Sequence, residues 1–156
     1  MKRSILTAVV FVIAAVMVCL GACDDGGLKL ALCYQQTDEV IKTFDVEEGS
    51  TFSVEFIHSV NKSPVKDVFV IRNGKIYADK TIYSAFGAGV QTEVEEGQTL
   101  TYDENNNMVV SGFDIEFPKV KCIVGTVSDH ILEIGEESIS LTELCGKNAK
   151  VYFELR

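Results

Sequence analysis

Residues 57–67 gather a histidine (His58), two hydroxyls (Ser59, Ser63), an amide (Asn61) and a carboxylate (Asp67) around Pro64. These are the residue types of a nucleophile, a base and an orienting acid, so acyl transfer is the first chemistry to weigh. The spacing argues against it. The stretch leading to His58 reads as a strand, where His58 and Ser59 point to opposite faces and share no hydrogen bond unless a turn begins there. No nucleophile elbow is present, and His130 is the only other histidine. His130 follows Asp129 in an expected turn and reads as a surface residue. No Cys-x-x-Cys or Cys/His cluster gives zinc-type ligand spacing, and a site built from His58, Asp67 and His130 needs convergence of distant stretches. No catalytic residue, metal or cofactor is assigned, and the chain is read as a non-enzyme.

A second unusual segment is Ser84-Ala85-Phe86-Gly87-Ala88-Gly89. Its small residues permit close backbone approach and unusual dihedrals. Gly-Ala-Gly without a following helix is not a phosphate loop. Both segments have an ordinary account as loops: Ser and Asn cap turns, and Pro64 fixes φ and removes a donor. The alternative is a surface for binding or interaction, made by His58, Ser59, Asn61, Pro64, Asp67, Tyr83, Phe86, Gly87, Ala88 and Gly89. There the glycine backbone sets shape and His58 gives directional hydrogen bonds.

The elements that must position these residues read as strands. Leu28, Leu30, Leu32 and Tyr34 alternate with Lys29, Ala31 and Cys33, a period of two. Phe52, Val54, Phe56 and His58 alternate likewise with Ser53, Glu55 and Ile57, and 40–46 makes a weaker run. Asn73-Gly74 between two β-rich stretches predicts a type I′ hairpin, because both residues tolerate positive φ. Further β-rich runs cover 90–94, 99–102, 108–117, 120–127, 131–134 and 151–155. No long stretch carries an apolar stripe of helical period, and 141–146 offers one helical turn ended by Gly146. The fold class is all-β: a sandwich or partly closed barrel of short, mostly antiparallel strands, behind an N-terminal apolar leader helix. Val46-Glu47-Glu48-Gly49-Ser50-Thr51 recurs as Val94-Glu95-Glu96-Gly97-Gln98-Thr99, two copies of one turn-then-strand solution rather than a 48-residue repeat.

Composition supplies an address. The 156 residues carry 23 acids against 14 bases, which argues against nucleic acid, yet mean hydropathy is positive. The two properties lie in different places. After Lys2 and Arg3, residues 5–22 hold no charge, as in a secretory signal. Leu20-Gly21-Ala22-Cys23 resembles a bacterial lipobox, which makes Cys23 the lipidation candidate and 1–22 a cleaved signal. An uncleaved signal anchor is the alternative, as is ordinary secretion. The first two place the rest of the chain outside the cytoplasmic membrane and attached to it. The expected organisation is a signal over 1–22, a tether over 23–27 and one domain over 28–156. Without 1–22, twelve bases face 23 acids, a charge of −11. Cys33, Cys122 and Cys145 then remain, enough for one bridge at most, and are read as buried thiols in preference to a bridge involving Cys145.

His58-Ser59-Val60, Pro64-Val65 and Phe86-Gly87-Ala88-Gly89 carry a resemblance. Together they resemble an uncharacterised bacterial family of exported domains, domain of unknown function 1850. The sequence departs from the family pattern at Asn61, where an acid is common, at Ser63 (Thr) and at Asp67 (Glu). Val90-Gln91 replaces a frequent Leu-Pro. The resemblance implies association with TAXI-type TRAP transporters, beside which such domains are often encoded. Its implied role is an extracytoplasmic accessory or binding domain acting by protein contact. Two other readings stand beside it: a small-molecule (organic acid) binding lipoprotein with a pocket at Tyr83, Phe86 and His58, and a hydrolase using His58.

Overall fold

The computed structural model describes residues 27–85 and 94–156. The leader, Cys23, nearly all of the tether, residues 86–89 and the first four positions of the run at 90–94 lie outside the described residues. No described helix is long and apolar enough to cross a membrane.

Two antiparallel sheets face each other. The smaller has the order β2 (Val40–Asp45), β1 (Lys29–Tyr34), β11 (Lys150–Leu155) and β8 (Val120–Ile123). The larger runs β10 (Glu137–Ser140), β9 (His130–Ile134), β3 (Thr51–Ile57), β4 (Pro64–Arg72), β5 (Lys75–Tyr83), β7 (Met108–Ser111) and β6 (Thr99–Tyr102). Among the described residues the sheets do not close into a barrel. The molecule is an open sandwich.

Alternation makes the core. Leu30, Leu32, Val151 and Phe153 from the smaller sheet meet Phe52, Val54, Phe69 and Leu132 from the larger. The Phe52 ring stands 5.1 Å from that of Phe69 on its own sheet and 5.3 Å from that of Phe153 across the interface. Aromatic contacts of this kind add to the area they bury. The opposite face of the smaller sheet holds a second cluster, Ala31, Cys33 and Tyr152. Charged side chains close over it. The Tyr152 hydroxyl donates to Asp38 Oδ1 (2.8 Å), and Lys119 Nζ lies 3.9 Å above its ring. Lys119 and Arg156 both pair with Glu154, at 3.3 and 2.7 Å.

The expected turns form. Asn73 (φ 54°) and Gly74 (φ 65°) join β4 to β5 as the type I′ hairpin requires. The two similar hexapeptides make one kind of turn: the Glu47 N–H donates to Ser50 Oγ and the Glu95 N–H to Gln98 Oε1, with Gly49 and Gly97 at φ 87° and 89°. The helical turn is α1 (Leu141–Cys145), capped by Ser140 Oγ and ended by Gly146 at φ 88°.

Four local expectations need correction, the first being the run at 120–127, which ends as β8 at Ile123. The run at 108–117 is not one strand: β7 stops at Ser111, Gly112 (φ 82°) and Asp114 (φ 46°) interrupt the pairing, and Glu116 rejoins β5 through an isolated bridge to Tyr77. Val94 belongs to no strand. Strand β10 was not expected, because its sequence Glu-Ser-Ile-Ser has a single apolar residue. Cys33, Cys122 and Cys145 are free thiols, and burial pushes both Cys122 and Cys145 up to about 11.

Candidate functional site

Strand β3 ends at Ile57, so a turn does begin at His58. The Lys62 N–H donates to His58 O (2.9 Å) and the His58 N–H to Ser63 O (2.9 Å), closing a loop with Lys62 in the left-handed region. The His58 ring caps this loop from inside, its Nδ1 accepting the N–H groups of Val60 (3.3 Å) and Asn61 (3.4 Å). In the neutral ring that tautomer carries its proton on Nε2. The lone pair a general base needs is therefore directed at the loop's own backbone. Ser59 is exposed, while Ile57 and Val60 present apolar side chains to solvent, Val60 at 64% exposure. Asn61 Nδ2 and Ser63 Oγ are buried without a hydrogen-bond partner among the described residues.

Strand pairing brings the second segment to this loop. Tyr83 lies opposite Val65 and Met108, and the Ser84 N–H donates to Pro64 O (3.1 Å). The start of that segment thus abuts the loop at Pro64. Phe86, Gly87, Ala88 and Gly89 lie outside the described residues.

Asp67 sits elsewhere. Register places it opposite Val54 on β3 and Thr81 on β5. Val54 is four residues from His58, about 13 Å at the rise of a strand. Alternation turns Asp67 to the inner face of the larger sheet, the face that buries Val65 and Phe69. There it lines a cleft of about 330 Å³, walled by Phe69, Phe113, Ile115, Phe117 and Val120. The Thr81 hydroxyl donates to Asp67 Oδ1 (2.7 Å). Burial raises the carboxyl above the usual aspartate value, and the Thr81 hydrogen bond offsets part of that. Neither Tyr83 nor His58 lines this cleft.

His130 is not a surface residue. It opens β9, half-buried, with its ring stacked on Phe56 at 5.4 Å and its Nδ1 accepting the Gly125 N–H (3.0 Å). Burial lowers its pKa against the opposing charge of Asp129. Asp129 Oδ1 accepts the N–H groups of His130 and Thr142 and so ties β9 to the start of α1. Among the described residues no three His, Cys, Asp or Glu side chains group as metal ligands.

The cleft walls were missed at the level of sequence. Phe113, Ile115 and Phe117 alternate as strand residues do, and that spacing hid the interruption after Ser111, beyond which the Ile115 carbonyl accepts the Ala78 N–H and the Phe117 N–H donates to Ile76 O. The available signal was an acid at an inward position, Asp67 between Val65 and Phe69.

Searches of the curated proteins and of the solved structures each returned no match. A family does match: residues 52–141, more than half of the chain, fit the family described as "Domain of unknown function (DUF1850)". Its span begins at Phe52 and takes in the His58 loop, the Asp67 cleft walls and the His130 strand. The chain belongs to this DUF1850 family.

Proposed function

We propose that this domain is held outside the cytoplasmic membrane by its N-terminal segment and acts by contact with a TRAP/TAXI-type solute transporter, not by catalysis. The observation that carries the reading is the His58 loop. The His58 ring turns inward to hold the backbone, while Ile57 and Val60 face solvent beside Pro64, with Ser59 and Lys62 exposed around them. Apolar side chains on a shaped, self-capped loop suit a protein contact. A hydrolase reading draws no support there, because the His58 lone pair is engaged away from any hydroxyl. The organic-acid pocket expected at Tyr83, Phe86 and His58 draws none from the Asp67 cleft, which neither Tyr83 nor His58 lines. The transporter as partner, and lipidation at Cys23 as the anchor, rest on the sequence resemblances.

Copurification from intact membranes tests the reading. The full chain is expected to retain a TRAP or TAXI subunit, and Val60→Asp to reduce that recovery about tenfold, a loss of some 1.4 kcal/mol. The thermal midpoint is expected to stay near wild type, since Val60 is exposed. Failure of the wild-type chain to retain any transporter subunit overturns the proposal.

A further inference from the structure

The Asp67 cleft has features that the contact surface at the His58 loop does not use. Asp67 Oδ1 accepts one hydrogen bond, from Thr81. No side chain among the described residues donates to Oδ2 or forms an ion pair with this carboxylate. Asp67 is half-buried, and a carboxylate partly withdrawn from water is stabilised by a cation or further donors. Here the adjoining space is open and of a size that holds a small organic molecule, about 330 Å³.

The walls narrow the choice of occupant. Phe69, Phe113 and Phe117 line the cleft, and the rings of Phe69 and Phe117 meet edge to face at 5.9 Å with 85° between their planes. Phe69 already stacks on Phe52, so the aromatic surface for a cation with an apolar skin comes mainly from Phe113 and Phe117. An anion meets the Asp67 charge, and a plain hydrocarbon leaves that carboxylate without a partner. An alkylated ammonium ion satisfies both the charge and the aromatic walls. Lys80 and Lys121 also line the cleft, so a ligand with a carboxylate at its far end has amines to meet.

We propose that this cleft is a binding site for a small alkylated ammonium ion, seated between the Asp67 carboxylate and the phenylalanine walls. The inference does not rest on the transporter reading, and the fate of either leaves the other standing.

Calorimetric titration of the full chain with choline, and with the uncharged compound of the same shape, 3,3-dimethylbutan-1-ol, tests it. Choline is expected to bind about tenfold or more tightly than the alcohol, the discrimination of one 1.4 kcal/mol step. Glycine betaine in a parallel titration separates a simple cation from a zwitterion, and binding of either supports the site. Asp67→Asn keeps the oxygen that Thr81 bonds and removes the charge. That variant is expected to lose choline binding about tenfold while its thermal midpoint holds. Phe113→Leu keeps an apolar wall, removes a ring, and is expected to weaken choline more than the alcohol. Equal affinity for choline and the alcohol, full choline binding by Asp67→Asn, or no binding of choline or betaine at millimolar concentration overturns the proposal.

Discussion

Two carboxylates on opposite sides of the sandwich are treated in opposite ways. Glu154, on the outer face of the smaller sheet, is held between Lys119 and Arg156. Burial pushes its carboxyl up, but the hydrogen bonds and charges of those two residues win and hold it below the usual glutamate value. Asp67, on the inner face of the larger sheet, has a single hydroxyl partner, and burial wins. One region is complete as it stands, with each charge matched over Tyr152 and Cys33. The other keeps an acid beside open space. A fold that matches its charges in one place and leaves one unmatched in another marks the second as a place for something else.

That contrast can be broken or sharpened by substitution. Phe52→Ala is expected to have the largest effect, about 3–5 kcal/mol in denaturant unfolding, because the ring joins both sheets and both regions hang from them. Both regions are then expected to weaken together; preservation of either shows that it stands independently of the shared core. Glu154→Gln is smaller, about 1 kcal/mol at neutral pH, since its two cationic partners remain partly in water. Its sign with pH is fixed. The folded value lies below that of the unfolded chain, so the stabilisation is present above the unfolded value and is lost as pH falls through the folded one. The destabilisation in this variant is expected to fade in acid when unfolding is followed across that range. Tyr152→Phe removes the hydroxyl that Asp38 accepts and is expected to lower the thermal midpoint slightly, leaving choline titrations unchanged. Smallest of all is salt: raising ionic strength is expected to reduce the midpoint difference between wild type and Glu154→Gln, because exposed pairs are screened.

Much of the fold was legible because a half-buried strand records its faces in alternate residues. Leu30 and Leu32 against the smaller Ala31 and Cys33 marked the two faces of β1, although both prove buried, and Asn73-Gly74 marked the hairpin that carries Asp67 and Thr81. What was hidden depends on distant neighbours. A side chain at Gly112 would place its Cβ 2.5 Å from the Gly97 carbonyl oxygen, a contact that periodicity does not record. The break after Ser111 therefore looked like continuous strand, and Phe113, Ile115 and Phe117 looked like a sheet face. The candidate site was legible in part. Residue types at 57–67 pointed to an unusual loop, but the inward aim of His58 follows from the turn at Ile57 and not from composition. Asp67 was grouped with His58 by closeness in sequence, and strand direction separates them. His130 gave no local sign of its burial, which comes from Phe56 on the neighbouring strand.

Unfolding of wild type and Asp67→Asn across pH tests the central contrast most directly. An acid whose folded value is raised binds its proton more tightly in the folded chain, so it favours the fold in acid and that contribution is lost as pH rises through the folded value. Ionised Asp67 therefore costs stability at neutral pH. Asp67→Asn is expected to be at least as stable as wild type there, with the difference closing as pH falls toward about 4, the unfolded aspartate value. A variant that is markedly less stable at neutral pH, by a margin that widens above the aspartate range, would show that the ionised carboxylate is already matched within the fold and contradict the account.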